Sequence, residues 1–91
     1  MYDLLIQNSM IVDGTGSPAY RADLAIANGR IAAIAPKIPA ETARGVLDAA
    51  GLVTAPGFID IHSHSDAALL LHERCESRIY QGVTTEVSGQ C

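Results

Sequence analysis

The sequence predicts an α/β protein whose first half is rich in β-strands and whose second half holds a strand, a helix and a second strand. Two patterns support this prediction. In residues 1–55, short apolar runs are separated by clusters of turn-forming residues, which is typical of strands joined by turns. In residues 56–91, two short apolar or β-branched runs flank a segment whose apolar residues recur three and four positions apart, which is typical of a β-α-β unit.

The first strands are predicted from two apolar runs near the start of the chain. Leu4–Ile6 and Met10–Val12 flank the polar residues Gln7–Ser9, so we expect two short strands that meet at a polar turn. Asp13–Pro18 is dense in turn-forming residues and predicts a loop. Because this loop lacks the Gly-Lys-Ser/Thr ending of a phosphate-binding loop, it predicts no nucleotide site.

A hairpin is predicted around Asn28-Gly29. These two residue types tolerate the positive φ angles of a type I′ turn, which is the turn that joins two adjacent strands most tightly. Leu24 and Ile26 alternate before the turn, and the apolar run Ile31–Ala35 follows it.

Two further strands are predicted before residue 55. Val46–Ala49 and Leu52–Thr54 are mostly apolar, and a turn near Gly51 separates them. Together with the earlier strands they predict a small antiparallel sheet. This half of the chain contains no histidine and no group of acid, base or metal-binding residues, so we expect it to be a scaffold.

The second half predicts a strand, a helix and a strand. Phe58–Ile61 predicts a short buried strand that ends in the polar run His62–Asp66, in which Ser65 or Asp66 is expected to cap the helix. Residues 66–81 predict the helix, Gly82 its end, and Val83–Val87 the next strand. A right-handed crossover makes the two strands parallel and brings their carboxyl ends to one edge of the sheet. The apolar stripe of the helix consists of Ala68, Leu71, Cys75 and Ile79.

Three candidate metal ligands follow these strands. His62 and His64 are two residues apart, so on a strand they point to one face, with Cα atoms about 6.5 Å apart. Cys91 follows the second strand, and two neutral imidazoles with a thiolate suit Zn²⁺. Asp60 shares the face of the histidines and is placed to orient a ligand or a neighbouring strand. Taken alone, such a histidine pair is also compatible with an exposed polar pair, and a single cysteine with a small buried apolar residue.

Other residues that could carry chemistry have simpler interpretations. Cys75 lies in the apolar stripe of the helix and is interpreted as part of its packing face, whereas His72 lies beside charged residues on a solvated face. Asp66 is interpreted as a helix cap, with a contact to a substrate amide as the alternative. Glu86 lies on a predicted inner strand, where an acid needs a partner, and the sequence names none.

Composition excludes several classes of partner. The chain has 91 residues, 6 Lys+Arg against 10 Asp+Glu, and a formal net charge of −4. Its basic residues are scattered, which argues against nucleic acid and anionic membranes as partners. No apolar run approaches the roughly 18 residues of a membrane span, and the start of the chain shows no basic leader. We therefore expect a cytoplasmic protein whose two cysteines are reduced.

Two segments resemble the amidohydrolase superfamily. The run from Ala55 to His64, Ala-Pro-Gly-Phe-Ile-Asp-Ile-His-Ser-His, resembles its first barrel strand with the His-x-His metal motif. The run from Gln81 to Cys91 resembles the second strand of one branch, the N-acyl-D-amino-acid deacylases, or D-aminoacylases, which place a metal-binding cysteine there. Residues 2–16 are similar to the start of the same proteins. Gln90 departs from the asparagine expected at that position.

The resemblance implies an incomplete chain. The family combines a small β-sandwich, formed by both chain ends, with a metal-dependent (β/α)₈ TIM barrel, and 91 residues cannot hold such a barrel, which needs about 250. Residues 1–55 would be the amino-terminal share of the sandwich, and residues 56–91 would be barrel strand one, helix one and strand two. By resemblance His62, His64 and Cys91 are metal ligands, and the cofactor is Zn²⁺.

The reaction implied is hydrolysis of the amide bond of N-acyl-D-amino acids, a small-molecule substrate class, by a longer protein. The family's acid/base aspartate and remaining ligands would lie beyond residue 91, so no catalytic residue is expected in this chain and the chain alone is expected to be inactive. The alternatives are a cyclic-amide hydrolase of the hydantoinase or dihydroorotase type, and an independent β-rich binding or structural module whose histidines do no chemistry.

Overall fold

The computed structural model describes residues 1–63, 71, 74 and 76–88. The chain divides into two compact units, Met1–Pro56 and Gly57–Cys91.

The first unit is a five-stranded mixed sheet. Its strand order is β3-β2-β1-β4, and the short strand β5 also pairs with β1. A single 3₁₀ turn, Ala40–Thr42, precedes β4. The strands are β1 (Tyr2–Ile11), β2 (Tyr20–Ala27), β3 (Arg30–Ala35), β4 (Ala43–Asp48) and β5 (Val53–Thr54).

β1 is one continuous strand, so the prediction of two strands separated by a turn is wrong. The polar segment forms a β-bulge instead: the register runs from Ile6 opposite Leu24 to Ser9 opposite Ala22, which leaves one β2 residue facing two on β1. Asn8 accommodates the bulge with a φ of 63°. Its N–H donates to Oδ1 of Asp23 at 2.9 Å, so a carboxylate from β2 satisfies the backbone group that the bulge releases from the ladder.

The Asn28-Gly29 hairpin is confirmed. β2 and β3 are antiparallel, and Ala27 pairs with Arg30 across the two-residue turn. Asn28 and Gly29 have φ angles of 53° and 71°, as a type I′ turn requires. The predicted loop at 13–18 is also confirmed, since no strand or helix residue lies there.

The prediction of an antiparallel sheet is wrong for the strands that follow. β4 and β5 both pair with β1 in the parallel direction, one after the other along its edge. Gln7 pairs with Asp48 and Met10 with Val53, so two residues of β1 face four residues of the partner edge. The extra length forms a tight turn in which Gly51 has a φ of 80°, and the same edge then continues as β5.

The core of the first unit is small and built from β1 and β2. Leu5 and Ala25 are fully buried and pack with Ile38, while Ile11 and Leu24 belong to a second cluster. The core also holds a carboxylate: Asp23 is 3% exposed, and its Oδ2 accepts the Ile38 N–H at 2.9 Å. Both oxygens of this buried acid are therefore bonded to backbone N–H groups, which is how a buried polar group is tolerated.

The second unit contains the predicted pair of parallel strands, β6 (Phe58–Asp60) and β7 (Val83–Glu86). Within the predicted helix, α1 (Glu76–Ile79) is helical and precedes Gly82, which has a φ of 88°. The amino-terminal part of that helix, with its expected caps at residues 65 and 66, lies outside the described residues.

Among the described residues of the second unit, apolar side chains are largely solvent-exposed. Ile59 and Ile61, of the segment predicted to be a buried strand, are 63% and 75% exposed, and Ile79 of α1 is 56% exposed. Within the described part of the chain, no helix is long and apolar enough to span a membrane. The cytoplasmic location stays a prediction.

Candidate metal centre

The carboxyl ends of β6 and β7 lie side by side. Asp60 pairs with Glu86, and the Val87 N–H donates to the Asp60 carbonyl oxygen at 2.7 Å. Beyond the strands, the Ser63 N–H donates to the Val87 carbonyl oxygen at 3.2 Å. The residues that follow β6 are thus held against those that follow β7, at the edge of a parallel sheet where functional groups gather in α/β folds.

His62 lies at this edge, two residues beyond the end of β6. Its side chain is exposed, and its backbone N–H donates to Oδ1 of Asp60 at 3.1 Å. The sequence argument placed His62 and His64 on one face by strand spacing, but β6 ends at Asp60 and the chain bends at residues 61 and 62, so that spacing does not extend to His62. The shared face of the two histidines stays a prediction. His64 and Cys91 lie outside the described residues.

The described residues are compatible with a divalent metal at this edge. An exposed histidine lies two residues beyond the end of a parallel strand, and its backbone N–H donates to the Asp60 carboxylate. Residues 1–63, 71, 74 and 76–88 alone contain no group of three His, Cys, Asp or Glu side chains that could hold a metal ion. A complete donor set therefore requires residues beyond the described ones.

Glu86 has a partner that the sequence did not identify. Nε of Arg78, on α1, lies 3.0 Å from Oε1 of Glu86, and Nη1 of the same guanidinium lies 2.9 Å from Oδ2 of Asp60. The β-α-β pattern could have indicated this partner, since the helix of such a unit packs across the two strands and Arg78 is a cation near the end of the helix. One guanidinium thus bridges the last residues of both strands.

Ser63 is a second residue that sequence reasoning missed. It is 3% exposed, and its hydroxyl donates to Oε2 of Glu86 at 3.3 Å. Its place between His62 and His64 in the sequence was the available signal. The remaining residues considered from the sequence, His72, Cys75 and Asp66, lie outside the described part of the chain.

No protein-family model matches the chain. Two curated relatives from Alcaligenes xylosoxydans xylosoxydans match nearly all of it: a D-aminoacylase, 46% identical over 90 residues, and an N-acyl-D-aspartate deacylase, 44% identical over 94 residues. These matches cover 99% and 98% of the chain and 18% of each relative. A crystal structure of D-aminoacylase, described as defining a novel subset of amidohydrolases, superimposes on the whole chain with a TM-score of 0.92 at 42% identity, over 19% of that protein.

The chain belongs to the D-aminoacylase family of amidohydrolases. The N-acyl-D-glutamate deacylase of Bordetella bronchiseptica, a structure with zinc and a phosphonate inhibitor, matches 99% of this D-aminoacylase-family chain with a TM-score of 0.91 at 44% identity, over 19% of that protein. An L-hydantoinase from Arthrobacter aurescens matches 94% of it less closely, with a TM-score of 0.78 at 29% identity, over 20% of that enzyme. The chain therefore spans about a fifth of the length of the proteins it matches.

Proposed function

We propose that the full-length protein hydrolyses the amide bond of N-acyl-D-amino acids, releasing a carboxylate and the free D-amino acid, with zinc as its cofactor. The observation that carries this proposal is the agreement between a 44–46% identity to D-aminoacylases along nearly the whole chain and an exposed histidine at the carboxyl edge of β6 and β7. The L-hydantoinase is less similar, which favours linear N-acyl substrates over cyclic amides.

His62, His64 and Cys91 are the proposed metal ligands. For His62 the support is its place: it is exposed and lies beside the carboxyl ends of β6 and β7, with its backbone N–H bonded to Asp60. For Cys91 the support is indirect: it lies five residues beyond Glu86, the last residue of β7, and β7 ends beside β6. A divalent metal held there would supply Lewis acidity, acidifying water and polarising the acyl carbonyl.

The residues of this chain would then bind and position the metal, and residues outside this chain would make the proton transfers. His62 must present a neutral imidazole nitrogen, and Asp60 holds the backbone of that histidine in place. Protonation of the leaving amine requires a general acid, which we place outside these 91 residues. On this basis the 91-residue chain alone does not hydrolyse N-acyl-D-amino acids.

We further propose that the two units belong to two domains of the complete protein. Residues 1–55 would be the amino-terminal share of a β-sandwich, and residues 56–91 would start a (β/α)₈ barrel. The division of the chain at Pro56 and the parallel pairing of β6 with β7 support this assignment. The exposed apolar side chains of the second unit also support it, since a parallel sheet normally has both faces covered.

The test is a substrate panel with the purified full-length protein. We expect zinc-dependent hydrolysis of N-acetyl-D-methionine and N-acetyl-D-glutamate, with their L-enantiomers left intact and hydantoin cleaved far more slowly. Release of the free amino acid, followed by chiral chromatography, measures both rate and stereospecificity. Preferred cleavage of hydantoin would overturn the reaction in favour of a cyclic-amide hydrolase, and no turnover of any amide by the zinc-loaded protein would overturn it altogether.

A further inference from the structure

Two carboxylates lie opposite each other where β6 and β7 end. Asp60 and Glu86 are register partners, and neighbouring strands are about 4.8 Å apart. Their side chains are only 22% and 15% exposed, so water screens their repulsion incompletely. Two like charges at this spacing would push the strand ends apart unless a cation lay between them.

Arg78 supplies that cation. Its Nη1 lies 2.9 Å from Oδ2 of Asp60, and its Nε lies 3.0 Å from Oε1 of Glu86. The Nη1 contact is a hydrogen bond to Asp60, and the Nε contact is an ion pair with Glu86. Because both nitrogens belong to one planar group, a single guanidinium attracts both carboxylates at once. The Arg78 side chain is itself 41% exposed, so it closes this network from the solvent side.

The second oxygen of each carboxylate is bonded to the segment that follows β6. Oδ1 of Asp60 accepts the His62 N–H at 3.1 Å, and Oε2 of Glu86 accepts the Ser63 hydroxyl at 3.3 Å. Each acid therefore uses one oxygen for the guanidinium and the other for residue 62 or 63. An interaction that orients the two carboxylates also orients the backbone that carries His62.

We propose that Arg78 is a positioning residue for the metal centre: by holding Asp60 and Glu86 together, it sets the position of residues 62 and 63 and thereby the affinity of the site for zinc. The proposal rests on the proposed zinc site, and it concerns a residue that does not touch the metal. Loss of a residue that hydrogen-bonds a metal ligand typically weakens metal affinity by about 10–100-fold; Arg78 acts one contact further out, so we expect an effect at the lower end, about 10-fold.

The test compares three variants of the full-length protein. Arg78→Met removes the charge and keeps much of the side-chain length, and Arg78→Lys keeps the charge but not the planar fork. Arg74→Met is the matched control, because Arg74 is 84% exposed and its ion pair is to Glu76, 3.2 Å away. Zinc affinity is measured by competition with a fluorescent chelator, and folding by circular dichroism and thermal unfolding.

We expect Arg78→Met to bind zinc about 10-fold more weakly than the wild type, Arg78→Lys to recover part of that loss, and Arg74→Met to match the wild type. Wild-type zinc affinity in a folded Arg78→Met variant would overturn the positioning role. Weaker zinc binding without a matching fall in the thermal unfolding temperature separates positioning from general stability, because a cation that only stabilised the fold would act mainly on unfolding.

A second measurement covers the case in which Arg78→Met does not fold. Glu86→Gln removes one of the two negative charges and retains an oxygen for the Ser63 hydroxyl. In the double variant Arg78→Met/Glu86→Gln, Asp60 therefore no longer faces a second carboxylate without a cation between them. We expect it to bind zinc more tightly than Arg78→Met, or to fold where Arg78→Met does not. A double variant that is no better than Arg78→Met in either respect would contradict the role of Arg78.

The outcomes for this proposal and for the proposed reaction are distinguishable. A wild-type protein that binds zinc but cleaves no N-acyl-D-amino acid overturns the reaction and leaves the role of Arg78 to be decided by zinc affinity. A wild-type protein that binds no zinc overturns both.

Discussion

Gly57→Ala is expected to separate the strands that carry the candidate metal centre. Gly57 precedes β6, and the β7 residue beside it is Thr84, which lies at a register shift: Phe58 pairs with Val83 and Ile59 with Thr85. A Cβ atom on residue 57 would lie 2.5 Å from Cγ2 and 2.7 Å from Cβ of Thr84, and would overlap its hydroxyl oxygen. No real Cβ tolerates such contacts, so the strands must move apart.

The magnitude follows from these contacts. Overpacking of this kind costs about 1–3 kcal/mol. If this cost displaces the ends of β6 and β7 and so weakens the binding of zinc by the same free energy, about 1–3 kcal/mol, the zinc affinity falls about 5–150-fold. The assay is zinc affinity of the full-length protein, with thermal unfolding measured in parallel.

Gly45→Ala is the matched control. Gly45 lies on β4, and, like Gly57, it does not adopt a positive φ. An added Cβ there meets its nearest atoms, the Asp3 carbonyl oxygen and Cδ1 of Leu4, at 3.6 and 3.7 Å, which is ordinary contact. We therefore expect Gly45→Ala to bind zinc like the wild type.

Compensating variants test the steric cause. Adding Thr84→Ala to Gly57→Ala removes the hydroxyl and the methyl group but leaves Cβ at 2.7 Å, so it should restore zinc affinity only in part. Adding Thr84→Gly removes the three nearest atoms and should restore more. The reasoning is refuted if Gly57→Ala binds zinc as tightly as Gly45→Ala, or if neither change at Thr84 improves the affinity.

Two further predictions concern the first unit. Leu5→Ala deletes a fully buried side chain and should lower the free energy of unfolding by about 2–5 kcal/mol. Ile31 is 63% exposed, so Ile31→Ala should change the free energy of unfolding by no more than about 0.5 kcal/mol. Urea unfolding of the full-length protein measures both, and equal losses would contradict the assignment of the core. The Asn8 side chain and the Ala50 N–H donate hydrogen bonds to Asp48 and hold the pKa of that carboxyl below its ordinary value of 3.8. The ionised Asp48 carboxylate therefore contributes its full stabilisation above pH 3.8, and this stabilisation is lost as the pH falls through the lowered pKa. In Asp48→Asn the free energy of unfolding should therefore fall less steeply below about pH 4. The same pH dependence in the variant and the wild type would contradict this.

Local sequence signals predicted the elements whose structure depends on neighbouring residues. The Asn28-Gly29 hairpin forms as expected because its two positive φ angles are a property of those two residues. β6 and β7 are parallel as expected because the handedness of a β-α-β crossover leaves few alternatives. In both cases the constraints that determine the structure lie within a short stretch of the chain.

Elements that depend on distant residues were predicted incorrectly. Gln7–Ser9 looks like a turn, but Asp23, fifteen residues beyond Asn8, satisfies the free N–H and turns the segment into a bulge. The direction in which β4 pairs with β1 is likewise decided by pairing across the sheet, which an apolar run does not encode.

The candidate site shows the same division. The motif placed His62 at the carboxyl edge of the strand pair, where the structure has it, but the argument for a face shared with His64 assumed strand spacing at His62, and β6 stops at Asp60. The Arg78 bridge was not predicted, because it needs the helix and both strand ends in three dimensions. Charge alone could suggest that Glu86 needed a partner but could not select one.

The central claim is that zinc is held where β6 and β7 end, by residues that follow each strand. The most direct measurement is the zinc content of the purified full-length protein by elemental analysis, comparing Cys91→Ala with Cys75→Ala, the other cysteine of the chain. We expect about one tightly bound zinc in the wild type and in Cys75→Ala, and most of it lost in Cys91→Ala. Undiminished zinc in Cys91→Ala would contradict the claim.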